Sequence, residues 1–432
     1  MKKAILCFPF VTSRQPQYPT GVYKVASFCE DFYDVTVLDQ RIDTDIIHMI
    51  SELISKNDDI LCLGLSVMTG EQIKHAIDIS KKYHRKLQIV WGGLHPTILP
   101  EQTLKNEFVD YIVVGEGEEA FLNLLCYLSG KRVDKELFLS KHNNNYKHNY
   151  IRELNSSGYI NFSKYKIREE YFVKRDGCRR AFTLETSRGC PCNCYYCHNS
   201  VYGKPYRALS APNVLHVIDI LMRDYNIDGV VFQEDNFFVN SKRVRDIIEG
   251  LIHIKNVGWK TNSRINYFYK LVDDKEFMKN LLLSGCSVLQ FGIESGSPKV
   301  IRLINKRIDI DKVILVNKKL SAYPISIRYN FIVGFPGETE NDISDTFKLI
   351  DRLMRDNPHV ESPFVNIYNP YPGTHLYKQA LKCGFKEPQS LEGWSELNWN
   401  KLCLNSLPPN IADFIEKKSV DYFRNSKYLS PG

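Results

Sequence analysis

The sequence predicts an α/β protein: a doubly wound, Rossmann-like N-terminal domain, then a partial (β/α)6 barrel, then a short, mainly helical C-terminal segment. Three observations predict it. Short apolar runs alternate with amphipathic helical stretches twice over, in residues 1–130 and again in 179–375, and strands alternating with helices imply a parallel sheet covered on both faces. Small residues and glycines gather just past the first set of runs. Four of the twelve cysteines crowd into residues 190–197, directly after a predicted strand.

In the first domain the apolar runs Ala4–Phe8, Val35–Leu38, Ile60–Leu65, Leu87–Trp91 and Tyr111–Val114 read as strands. Between them lie helical patterns such as Ile73, Ala76, Ile77 and Ser80, with charges on the opposite face. Ser66 and Thr69 follow the third strand, Gly92 and Gly93 the fourth, Gly115 and Gly117 the fifth. An open α/β sheet binds its ligand at the carboxyl ends of its strands, and glycine there admits a close backbone approach or a left-handed turn. Taken singly, each could equally be a plain turn glycine. Residues 131–178 are polar and without period around Lys141–Asn149, which predicts a linker lying over the surface.

From 179 the alternation resumes. Ala181–Thr186, Gly229–Gln233, Trp259–Ser263, Val288–Gly292, Arg328–Val333 and Phe364–Tyr368 read as strands, with helices such as Ala211–Tyr225 and Asn341–Arg355 between them. Such βα units suggest a relative of the closed eight-stranded barrel, with its site at the strand carboxyl ends. Residues 376–432 carry helical patterns and the tryptophans Trp394 and Trp399.

Composition narrows the class. The 432 residues are 43% hydrophobic and 25% charged, as expected of a globular protein of more than one domain. The net charge of +7 is compatible with an anionic substrate or an acidic redox partner. The basic residues are spread rather than gathered in a stripe, which argues against nucleic acid as a partner. The start Met1-Lys2-Lys3 and Ala4–Phe10 imitates a signal peptide, but the apolar run is broken at Pro9 and no cleavage site follows. No run reaches the length of a membrane span. The expectation is a cytoplasmic protein without an integral membrane segment, in which crowded cysteines mean a metal or cluster site rather than disulfides.

Cys190, Cys194 and Cys197 form C-x3-C-x2-C in a loop past a strand end. Cubane clusters usually take four thiolates, so three leave one iron open to a chelating ligand. A zinc site completed by Cys192 or His198 is the alternative, but no second C-x2-C half stands out.

The motif resembles that of the radical S-adenosylmethionine (SAM) superfamily. The resemblance implies a [4Fe-4S] cluster on Cys190, Cys194 and Cys197, with SAM chelating the open iron and cleaved to a 5′-deoxyadenosyl radical. Tyr196, before the last cysteine, then lies beside the adenine. Val231–Asn236 is similar to the acidic second-strand motif, placing Glu234 at the SAM amino group. Phe291–Ser297 is similar to the fourth-strand motif, placing Glu294 and Ser295 near ribose and methionine, and Arg264 matches a position near the SAM carboxylate or ribose. Phe331–Thr339 resembles the fifth-strand G-x-I-x-G-x-x-E region, with Asn330 in place of the first glycine and Glu338 one residue late.

Tyr18–Tyr23, Gly92–Thr97 and Val113–Glu118 are similar to the N-terminal domain of cobalamin-binding radical SAM proteins, the group of the bacteriochlorophyll-ring cyclase and many methyltransferases. The resemblance implies cobalamin at Ser66, Thr69, Gly92, Gly93, Gly115 and Gly117. The D-x-H-x-x-G motif that supplies a cobalt-ligating histidine is absent, and His95 in its Gly-Gly-Leu-His-Pro turn is not expected to replace it. The function implied is cobalamin-dependent C-methylation of an unactivated carbon in a small-molecule or natural-product pathway, with an electron donor such as flavodoxin or ferredoxin. The alternatives are a radical SAM cyclase, oxidase or rearrangement catalyst without methyl transfer, and a non-catalytic cobalamin or SAM sensor, which would not need an open iron.

Overall fold

The computed structural model describes residues 1–397 except 14, 157–158, 203–204 and 362, together with 409 and 411–413. Within them the chain forms two compact units, one of Met1–Phe172 with residues 388–397 and one of Val173–Glu387.

The first unit is a six-stranded sheet of β1 (Lys3–Phe8), β2 (Asp34–Asp39), β3 (Ile60–Ser66), β4 (Gln88–Gly92), β5 (Tyr111–Ile112) and β6 (Leu139–Ser140), in the order β2-β1-β3-β4-β5-β6. The first five are parallel and β6 is an antiparallel edge. The inner strands are apolar on both faces because helices cover both; Ile5, Leu63, Leu65, Ile89 and Trp91 are all buried. The order reverses between β1 and β3, the switch point at which such sheets open a crevice. Residues 131–172, expected to be a surface linker, instead complete this unit. They supply β6 and bury Leu154, Phe162, Tyr165 and Tyr171. The polar run around Asn143 hid this, because the apolar anchors are single residues without a period. The predicted C-terminal segment is helical at Tyr377–Lys382 and Leu391–Ser395. The second of these helices belongs to the first unit, where Trp394 is buried and its Nε1 donates to Gln102 Oε1 at 2.6 Å. Trp399 lies outside the described residues.

The second unit contains β7 (Val173–Arg175), β8 (Cys178–Leu184), a small antiparallel pair β9 (Ser187–Arg188) and β10 (Arg207–Ala208), then β11 (Gly229–Phe232), β12 (Gly258–Ser263), β13 (Cys286–Glu294), β14 (Ser326–Val333) and β15 (Phe364–Ile367). Its main sheet runs β15-β14-β13-β12-β11-β8-β7, with β7 antiparallel to β8 and the rest parallel. The two faces differ. On β14, Ile327, Tyr329, Phe331 and Val333 are buried while Ser326, Arg328, Asn330 and Ile332 are only half-buried. Register places Arg328 level with Gln290 and Asn262, and Asn330 level with Gly292. A closed barrel fills its interior with branched apolar side chains; here the inner face carries the amides Asn262, Gln290 and Asn330, all half-buried.

Asp176 demonstrates the curl of this sheet. Asp176 and Gly177, with φ of 55° and 84°, make the two-residue Asp-Gly turn between β7 and β8, the favoured sequence for a tight hairpin. The Asp176 carboxylate meets Lys260 of β12 at 3.5 Å and the guanidinium of Arg328 of β14. Since β14 is four strands from β8 in the sheet, this contact requires the sheet to curl strongly. The trio, with Cys178 against Gly229 and Gly258, forms the floor of the half-barrel. No helix among the described residues is long and apolar enough to cross a membrane.

Removing one member of a buried charge group leaves its partners uncompensated, which costs on the order of 3 kcal/mol. Asp176→Ala should therefore accelerate amide hydrogen exchange in β12 and β14 about a hundredfold, with exchange in the first unit unchanged. Burial pushes the Asp176 carboxyl up, but Arg328 and Lys260 hold it below its usual value. In the native protein this protection is complete above the ordinary aspartate range and is lost as pH falls through the lowered value.

Candidate active site

The cysteine loop begins where β8 ends, and a buried network fixes its root. Glu234, just past β11, accepts from Thr186 N at 3.2 Å and from the hydroxyls of Thr186 and Ser187. Arg243 lies 3.9 Å from Glu234 and donates to Thr186 Oγ1 at 2.6 Å and to the Leu209 carbonyl at 2.6 Å. Further along, Tyr195 N donates to Ile304 O at 3.0 Å, Asn305 Nδ2 to Asn193 O at 2.6 Å, and Leu376 N to Tyr195 O at 3.1 Å. The loop is thus clamped at both ends.

Of its thiols, Cys194 is buried and Cys190, Cys192 and Cys197 are half-buried. Arg264, following β12, donates from Nη1 to Cys194 Sγ at 2.9 Å. A hydrogen bond with Cys192 and burial push Cys190 up, while Cys190 and then the positive charge of Arg264 draw Cys192 down to about 6. Three thiols on one short loop past β8, one of them accepting from Arg264, are a donor set that fits a cluster, whose thiolates bind one to an iron.

A second group stands at the same strand ends. Glu294 closes β13 with φ of 73°, a left-handed conformation unusual outside glycine. Its Oε1 accepts from Lys306 Nζ at 2.5 Å and from the Tyr196 hydroxyl at 2.9 Å. Gly292 makes this possible, since a Cβ there would lie 2.4 Å from Glu294 Oε1 and 3.1 Å from Lys306 Nζ. The Tyr196 ring meets Phe335 edge-on, centroids 5.7 Å apart. Tyr196, Glu294, Arg264 and the cysteine loop thus come together at one mouth.

Glu234 and Ser295 do not join them. The Glu234 carboxylate, expected at a SAM ammonium, is turned into the protein and occupied by Thr186, Ser187 and Arg243. The exposed acid of that motif is Asp235, whose charge bears on Cys190 and Cys197. Ser295 is fully buried, its Oγ 3.0 Å from Thr346 Oγ1 and accepting from Ser297 N at 3.1 Å. Its work is to hold the helix Pro298–Leu303, which Ser297 caps. Glu338 reaches back to accept from Gly334 N and from Phe335 N at 3.1 Å, so its late position still braces the turn after β14. Lys306 escaped the sequence reading. Its one signal is a lysine in the short link between the helices Pro298–Leu303 and Ile310–Leu320, flanked by Asn305 and Arg307.

In the first unit, the loops after β3, β4 and β5 knit together. Val67 N donates to Gly92 O at 2.8 Å, His95 N to Val67 O at 3.0 Å, and Gly115 N to Thr97 Oγ1 at 3.0 Å. A Cβ at Gly93 would lie 2.8 Å from Val67 N and 3.2 Å from Ser66 Oγ, so this rim is close-packed. Gly115 and Gly117 are packed glycines instead: a Cβ would lie 2.2 Å from Asn149 O at the first and 2.8 Å from Val25 Cγ2 at the second. His95 is 1% exposed, with Nδ1 3.1 Å from Thr69 Oγ1 and its ring beside Trp394. Burial lowers it to about 3, so the imidazole is neutral. Its Nε2 has no partner among the described residues. A buried orphan beside a strand-end rim is what a site for a large polar-edged ligand presents before that ligand is in place, so the residues fit a corrin.

Comparison with known proteins agrees. Residues 184–350 match the model of the radical SAM superfamily and residues 8–125 that of the B12 binding domain. An uncharacterized methyltransferase of Pyrococcus horikoshii is 30% identical over 374 residues, covering 84% of this chain and 78% of that protein. The chain belongs to the B12-binding radical SAM family. The bacteriochlorophyllide d C-12(1)-methyltransferase of Chlorobaculum tepidum is 23% identical over 375 residues, 85% of this chain and 75% of that one. Among solved structures, the cobalamin-dependent SAM radical enzyme OxsB with aqua-cobalamin and SAM bound superposes with a TM-score of 0.68 at 19% identity, over 99% of this chain and 62% of that chain. The radical SAM methyltransferase TsrM of Kitasatospora setae does so at 0.69 and 16%, over 90% and 78%. These likenesses establish the fold. The chain is a radical SAM enzyme, and its two domain families carry the cofactor set of [4Fe-4S] cluster, SAM and cobalamin.

Glu338 gives this radical SAM enzyme a pH signature. Burial raises its carboxyl to about 7, against the help of the two N–H donors. Between its unfolded value and pH 7 the native state therefore binds more protons than the unfolded chain, and stability falls as pH rises through this window. A shift of that size corresponds to roughly 3–4 kcal/mol. Glu338→Gln should flatten the melting temperature between pH 5 and about pH 8 and raise it at the upper end.

Proposed function

We propose that this enzyme is a cobalamin-dependent methyltransferase that acts on an unactivated carbon of a small molecule. The observation that carries the reading is the pairing, in one chain, of a B12-binding domain with a three-cysteine loop at the mouth of a half-barrel lined by amides. The names of the relatives from Pyrococcus horikoshii and Chlorobaculum tepidum, both methyltransferases, point the same way. When bound, the cluster and SAM supply one-electron cleavage and hydrogen abstraction, and cobalamin supplies methyl transfer.

The chain's own residues do the rest. Cys190, Cys194 and Cys197 hold the cluster and Cys192 is not a ligand. Tyr196 flanks the adenine. Glu294, paired with Lys306, takes a hydroxyl or ammonium of SAM, and Asp235 replaces Glu234 as the exposed acid of its motif. The inner-face amides Asn262, Gln290 and Asn330 orient a hydrogen-bonding substrate, while the Asp176 floor excludes water from below. In the first domain the Ser66–Thr69 and Gly92–Thr97 loops hold the corrin. His95 Nε2 meets a polar group of its edge and does not ligate cobalt.

Two experiments test this. Alanine at 190, 194 or 197 should abolish the iron bound after anaerobic reconstitution, and Cys192→Ala should not; Glu294→Gln should keep the iron but weaken SAM about ten- to a hundredfold, the loss of one charge-assisted contact. Retention of iron by Cys190→Ala with loss in Cys192→Ala would reverse the ligand set. The second experiment needs no substrate. Reduced, corrin-loaded enzyme mixed with SAM should release one equivalent of S-adenosylhomocysteine per corrin, and His95→Ala should leave the cobalt spectrum unchanged. If corrin is retained and only 5′-deoxyadenosine forms, the enzyme is a cyclase, oxidase or rearrangement catalyst instead.

A further inference from the structure

We propose that Arg264 tunes the reduction potential of the cluster through an N–H···S hydrogen bond to Cys194, rather than serving as the partner of the SAM carboxylate. The inference rests on the reading of Cys194 as a cluster ligand. Three contacts fix the guanidinium. Nη1 donates to Cys194 Sγ at 2.9 Å, Nε to Asn266 Oδ1 at 3.2 Å, and Nη2 to the backbone carbonyl of Lys306. The residue is 7% exposed, and its planar fork leaves no freedom to swing once both ends are held. Arg264 also follows directly on β12, so its backbone is set by the sheet.

The direction of the effect follows from charge. Reduction adds an electron to a cluster already surrounded by thiolates. A hydrogen-bond donor and a fixed positive charge on one sulfur stabilise the reduced form more than the oxidised form, and hydrogen bonds to sulfur are among the determinants of cluster potential. The low dielectric of a buried site strengthens this. Reductive cleavage of SAM begins with that reduction, so Arg264 makes the first step accessible to a weaker donor. A guanidinium does not deprotonate in proteins, so the effect does not vary with pH. Lys306 cannot substitute, because its ammonium is held by Glu294 and Tyr196.

The test uses the full chain, reconstituted anaerobically and loaded with cobalamin, without SAM. The midpoint of the cluster is read by electron paramagnetic resonance during a redox titration of wild type, Arg264→Lys and Arg264→Met. The expected order is wild type highest, Arg264→Lys lower, Arg264→Met lowest, with iron and sulfide unchanged in Arg264→Lys and its SAM dissociation constant within about twofold of wild type. If Arg264→Met loses iron, Arg264→Lys decides alone, and its midpoint must still fall. An unchanged midpoint in an iron-replete variant overturns the inference. So does an unchanged midpoint with weakened SAM binding, which would return Arg264 to the SAM carboxylate. A full cluster in Cys194→Ala would instead overturn the ligand assignment beneath it.

Discussion

One buried carboxylate fixes the geometry of the barrel mouth. Glu234 sits where β11 gives way to its loop and gathers the backbone and hydroxyl of Thr186, the hydroxyl of Ser187 and the guanidinium of Arg243. This joins the root of the cysteine loop to the neighbouring strand. A buried ion pair gives little net stability, but breaking it by removing one partner is costly. Its value here is positional. The loop carries Cys190, Cys192, Cys194 and Cys197, and a loop free to pivot at residue 186 could not hold them in fixed positions. The clamps at Tyr195 and Asn193 then act on a segment whose origin is already set.

The strands were legible in the sequence because their two faces are both covered. Runs such as Leu63–Leu65 and Val230–Phe232 are apolar whichever way they face, and they stood out against charged helices. Strand ends were less legible. β13 extends to Glu294 and β5 stops at Ile112, because edge pairing and a positive φ are decided by tertiary contacts rather than by the residues themselves. The place of the cysteine loop past β8 was legible, since thiol spacing is a local property. The direction of an acid at a strand end was not. Glu234 and Asp235 are adjacent, and alternation sends one inward and the other to the mouth. Composition cannot tell which, but the hydroxyls of Thr186 and Ser187 decide it by offering Glu234 a buried partner.

Lys306 and residues 131–172 illustrate a second limit. A lysine in a helix link reads as solvated, and only the fold brings Glu294 to it. Likewise Tyr165 and Tyr171 lie in a stretch without period, yet both are buried in the first unit, with hydroxyls reaching Val35 O and Asp39 of β2. Gly115 and Gly117 show the reverse. Their position past a strand end suggested ligand contact, whereas Asn149 and Val25 occupy the space that the missing side chains leave. Glycine at such a place marks a close approach but not what approaches.

The floor built from Asp176, Lys260 and Arg328 has a consequence for traffic. A half-barrel stoppered at the amino ends of its strands has no through route along its axis. Molecules must come and go by the carboxyl ends or by the side that the edge strands β7 and β15 leave, so traffic and chemistry share one end of the sheet. The hairpin that makes this stopper costs the chain only an Asp-Gly turn.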